Sequence, residues 1–99
     1  MVFSKEQMDR AVKVYTANPY WKECYDGATS DACRERIILI FCYSINSDEV
    51  NEEEFKHCTA EVESRLTSED WKHLAKYAGN NPWGAKCRAN AKRLEEAGR

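Results

Sequence analysis

The stretch Ile37-Ile38-Leu39-Ile40-Phe41-Cys42-Tyr43 is the longest apolar run in the chain, and its reading decides the fold. Its seven residues fall well short of the roughly 20 needed to cross a bilayer. A run of this length rich in isoleucine suits either a buried strand or a buried stretch of helix, and periodicity alone does not separate the two. The surroundings do. No other segment alternates apolar and polar residues over five or more positions between turn residues, so a strand here would have nothing to pair with. Upstream, Thr29 or Ser30 offers a helix N-cap and Asp31 a first-turn carboxylate that the helix dipole favours. Downstream, Asn46 and Ser47 end the element. The expectation is a helix over about residues 31–45, apolar on every side at its centre and therefore enclosed by other helices.

Working outward, helix starts recur. Ser4 with Gln7 makes a capping box, and Phe3 is placed to staple onto Met8. Met8, Ala11, Val12 and Tyr15 then share one face of a helix that stops near Ala17. Asn18-Pro19 starts a short helix through Tyr25, with Gly27 expected in the left-handed conformation at its end. Beyond the central helix, Asn51 and Glu54 form a second capping box, opening a helix to about Leu66 with Phe55, Cys58, Val62 and Leu66 inward. Thr67 or Ser68 caps a helix carrying Trp71, Leu74, Ala75 and Ala78 up to Gly79. Asn81-Pro82 starts the last, with Trp83, Cys87, Ala91 and Leu94 on one face. Asn18-Pro19 to Cys24 parallels Asn81-Pro82 to Cys87, a likeness that shared capping chemistry explains better than a repeat. The fold class is all-α: residues 1–99 form one compact bundle of five to six short helices, as 42% apolar residues and 11.5 kDa allow.

Cysteine usage leaves the compartment open. Five cysteines, Cys24, Cys33, Cys42, Cys58 and Cys87, exceed cytosolic habit but fall short of a disulfide scaffold. Cys24 and Cys33 lie symmetrically about the turn at Asp26-Gly27, so a bridge between them is geometrically reasonable. The opening Met1-Val2-Phe3-Ser4 turns polar at once, unlike a secretory signal, and the expectation is a cytoplasmic protein, with a secreted or periplasmic domain as the alternative. His57 beside Cys58 points in another direction around its helix, and no Cys-x2-Cys pair occurs, so no metal and no cofactor is expected.

Charge is spread unevenly. Residues 1–45 balance, residues 46–70 carry nine acidic against two basic groups, and residues 71–99 carry seven basic against two acidic. The acidic segment is concentrated in Asp48, Glu49, Glu52, Glu53 and Glu54 at a helix start. The dipole rewards such carboxylates by about 0.3 to 1 kcal/mol each, and the same cluster suits a docking surface for a basic partner. The last helix places Arg88 and Lys92 on one side and Lys86 with Arg93 on another, although a sequence pI of 5.7 argues against duplex binding. Tyr20 and Trp21 crowd the short second helix and are candidates for exposed interface anchors.

Catalytic signatures are missing: two histidines, no Gly-rich phosphate loop, no G-x-S-x-G and no H-E-x-x-H. The expectation is therefore a non-enzymatic protein–protein interaction module, a small inhibitor or immunity or antidefence-type protein. It would occlude a larger partner through Asp48, Glu49, Glu52, Glu53, Glu54, Tyr20 and Trp21. The alternatives are a disulfide-stapled extracellular domain and a nucleic-acid binder using the basic last helix, nucleic acid being the less favoured partner.

Overall fold

A computed structural model describes residues 2–99 and contains six helices with no strand among them. They are α1 (Lys5–Thr16), α2 (Pro19–Asp26), α3 (Asp31–Asn46), α4 (Glu52–Glu63), α5 (Ser68–Ala78) and α6 (Pro82–Glu96). The radius of gyration is 13.2 Å, in line with about 13 Å for a compact domain of 100 residues. None of these helices is long and apolar enough to cross a membrane.

Every helix starts on a side-chain cap. Ser4 and Gln7 exchange bonds of 2.8 and 3.1 Å at α1, and Thr67 does the same with Asp70 at α5. Asn18 and Asn81 each precede a proline at the first helical position, and their amide oxygens accept from Tyr20 N and Gly84 N. At α4 only half of the expected box forms: Asn51 Oδ1 accepts from Glu54 N at 3.1 Å, while Glu54 makes no return bond. That helix also ends at Glu63, three residues early, and Leu66 is buried from the turn that follows.

The run that decides the fold is helical. α3 packs against α1, α2, α4 and α5 and buries Cys33, Ile37, Leu39, Phe41 and Cys42. Tyr15 of α1 stacks on Phe41 with centroids 4.6 Å apart, and Trp21 of α2 meets the same ring edge-on at 6.1 Å. Phe3 is buried and lies edge-to-face with Phe55 of α4 at 6.1 Å, tying the start of the chain to that helix.

α5 and α6 form the most intimate pair, joined by Gly79-Asn80-Asn81. Gly79 has φ +76° and ψ −166°, a backbone state that side chains disfavour. Gly84 on α6 is buried against that turn, and a Cβ there would overlap the Gly79 carbonyl oxygen. Gly27 differs from expectation: its φ is −87°, so it is not left-handed. Space explains the residue instead, because a Cβ would meet His73 Cε1 at 3.0 Å and the Glu23 carbonyl at 3.1 Å. His73 reaches in to hydrogen-bond the Cys24 carbonyl at 2.7 Å, fastening α5 to α2.

Candidate functional site

The acidic segment lies at the turn between α3 and α4 and over the first turn of α4. Asp48, Glu49, Glu52, Glu53 and Glu54 are all exposed. Most of the chain's other carboxylates have a cation: Glu61 and Glu35 share Arg65, Glu63 takes Arg36 and Lys86, and Lys72 joins Glu69 and Glu95. Among the described residues, none of these five has a cationic group within 4 Å. Among the described residues their only side-chain partner is neutral: the Tyr43 hydroxyl donates to Glu52 Oε1 at 2.8 Å. That bond and the nearby carboxylate charge hold the Tyr43 hydroxyl above its ordinary range. Tyr43 also leans on Phe55 with centroids 4.6 Å apart, so Glu52 is anchored to an aromatic pair. On the other flank Glu53 and Glu54 border a shallow hollow with Val2, His57 and Cys58. Half-buried apolar groups thus sit beside a row of carboxylates that have no cation among the described residues.

Tyr20 and Trp21 are placed elsewhere. Tyr20 is 47% exposed, yet its hydroxyl donates to the Tyr77 carbonyl at 3.1 Å and its ring meets Tyr77 edge-on at 5.3 Å. Trp21 is half-buried against Tyr15 and Phe41. α2 and α4 do not touch, so the aromatic pair and the acidic segment are separate surfaces rather than one site. The sequence could not show this, since both features read as exposed whichever way the helices turn.

The basic helix is partly spent within the fold. Lys86 Nζ lies 2.9 Å from Glu63 Oε1, Arg88 donates to the Gly79 carbonyl at 3.2 Å and Arg93 reaches Asn90. Lys92 is exposed.

All five cysteines are free thiols. Cys24 and Cys33, the pair whose spacing suits a bridge, are buried free thiols in this structure: Cys33 Sγ faces the Asp70 carbonyl at 4.0 Å, and Cys24 lines a half-open cavity. Burial pushes Cys24 up to about 12, with Cys33 adding to the rise. It pushes Cys42 to about 11 and Cys87 to about 11. Thiols so far from ionising are poor nucleophiles and poor metal ligands.

Two features escaped sequence reasoning. Arg36, inside the apolar helix, is 93% shielded, its relative exposure being 7%. Its Nε donates to Glu63 Oε2 at 2.9 Å and its guanidinium lies 4.6 Å from the Trp83 ring centroid, while Nη1 is buried with no partner. The second is a cavity of about 210 Å³ between α2, α3, α5 and α6, walled by Trp21, Phe41, Tyr77 and Trp83 among others. The cavity leaves no trace in sequence because it depends on how four helices meet.

Comparison of the chain with known protein families, with curated proteins and with solved structures finds no match, so its functional reading rests on these residues alone.

Proposed function

We propose that this protein is a non-enzymatic interaction module that docks on a larger partner with a basic surface, acting as an inhibitor or immunity-type factor. The observation that carries this reading is the row of Asp48, Glu49, Glu52, Glu53 and Glu54, exposed and without a cation among the described residues. The α4 dipole accounts for Glu52, Glu53 and Glu54 in its first turn. It does not account for Asp48 and Glu49, which precede the helix and add to the same negative surface. Uncompensated charge of one sign costs self-repulsion, and steering an oppositely charged partner is the use that offsets it. Val2, Tyr43 and Phe55, half-buried at the edge of the row, supply apolar area of the kind that anchors an interface once charge has brought the partner in.

The test is quantitative affinity capture from the source cell with the native chain and with the triple variant Glu52→Gln, Glu53→Gln, Glu54→Gln. A protein retained by the first and depleted at least about tenfold with the second supports the reading. Equal recovery of every bound protein by the two chains contradicts it.

A further inference from the structure

We propose that the groove beside Trp83 is a binding site for a small amphipathic anion, a carboxylate with an apolar tail. Its head would sit on Arg36 Nη1 and Lys86 Nζ and its tail in the cavity between α2, α3, α5 and α6. The proposal does not rest on the acidic carboxylates, although Tyr43 and Phe55 border both that surface and this groove.

The head-group end is built from three charges. Glu63 accepts from Arg36 Nε through one oxygen and from Lys86 Nζ through the other, each at 2.9 Å, so two cations share a single carboxylate. Both cations lie near the Trp83 ring, the Arg36 guanidinium 4.6 Å and Lys86 Nζ 5.5 Å from its centroid. The remaining donor edge of Arg36 is the anomaly: Nη1 is buried and has no acceptor. A buried guanidinium N–H left unpaired is costly, and it is met best by a charged oxygen. The surplus of one positive charge at this corner selects an anion over a neutral acceptor. Glu52 of the acidic segment accepts from the Tyr43 hydroxyl and does not line the groove.

The tail end adjoins it across Ile40 and Trp83. Arg36, Tyr43, Phe55 and Trp83 wall an open groove, and Ile40 and Trp83 belong both to that groove and to the half-open cavity of about 210 Å³. The cavity is apolar almost throughout, with Trp21, Phe41, Leu74 and Tyr77 in its wall, the arrangement in which a few placed polar groups orient a mostly apolar ligand. Trp83 is half-buried with its ring centroid 4.6 Å from the guanidinium, and it lines both spaces.

The probes are decanoate and its neutral counterpart decanol, titrated below 1 mM into the native chain by calorimetry with tryptophan emission followed in parallel. The expected result is saturable 1:1 binding of decanoate, at least about tenfold tighter than decanol, as a charge-assisted hydrogen bond implies. Ile40→Trp, which fills the junction, weakens both at least about tenfold, and Arg36→Met abolishes the preference for decanoate. Because Arg36 also holds Glu63, its variant is open to misfolding, and the decanoate–decanol comparison and Ile40→Trp then decide. No saturable decanoate binding, a preference below about tenfold, or unchanged binding by Ile40→Trp each overturns the proposal and leaves the space to water.

Discussion

The Thr29 hydroxyl donates a 2.6 Å hydrogen bond to the Asp70 carboxylate, joining the turn that opens α3 to the first turn of α5. Asp70 is 1% exposed, and its other oxygen accepts from Thr67 N at 2.8 Å as the reciprocal half of the α5 capping box. Burial by itself would raise the Asp70 carboxyl. The donors Thr29, Thr67 and Ser30 outweigh that effect and hold it below the usual carboxylate range. One side chain therefore both caps a helix and fixes the spacing of two core helices.

Replacing Asp70 by Asn keeps the shape and removes the charge, and should cost about 1 to 3 kcal/mol at neutral pH. The pH dependence has a definite sign. A carboxyl lowered in the folded state contributes stability that is fully present above its unfolded value, about 3.9, and is lost as pH falls through the folded value. Urea unfolding of the native chain and Asp70→Asn at pH 7, 5 and 3 should show a gap that is steady at the first two values and shrinks at the third. A gap independent of pH would mean that the charge is not what Thr29 and Thr67 stabilise.

Gly84 tests the close approach of α5 and α6. In an open helical position, Gly→Ala gains about 1 kcal/mol. Here the added methyl would overlap the Gly79 carbonyl, which the positive-φ turn holds in place. Gly84→Ala should therefore destabilise by about 1 to 3 kcal/mol with helical circular dichroism retained. A variant as stable as the native chain or more so would show that the pair can part freely.

Thiol chemistry separates the cysteines. Cys24, Cys33, Cys42 and Cys87 are buried and Cys58 is half-buried. Alkylation of the native chain, followed by peptide mass mapping, should label Cys58 first and the other four only on unfolding. Rapid labelling of Cys24 or Cys33 would contradict their packing, and a bridged Cys24–Cys33 peptide in unreduced protein from the source cell would favour the extracellular alternative.

What the sequence made legible was local. Ser4, Asn18, Asn51, Thr67 and Asn81 announced five helix starts because an N-cap acts within three residues of itself. The Ile37–Tyr43 run was legible as helix for want of any strand partner. What stayed hidden depends on residues far apart in the chain. Gly27 lies tight against His73, 46 positions away, and Arg36 finds its place through Glu63 and Trp83 on two other helices. The acidic row was visible as composition, but its separation from Tyr20 and Trp21 is a property of how α2 and α4 are arranged.

The most direct test of the docking account is the association rate of the captured partner with the native chain and with Glu52→Gln, Glu53→Gln, Glu54→Gln, measured across ionic strength at matched stability. The account predicts that the native rate falls at least about tenfold between low and high salt, and that the variant starts slower with a much flatter salt dependence. Equal rates for the two chains at every ionic strength would contradict it.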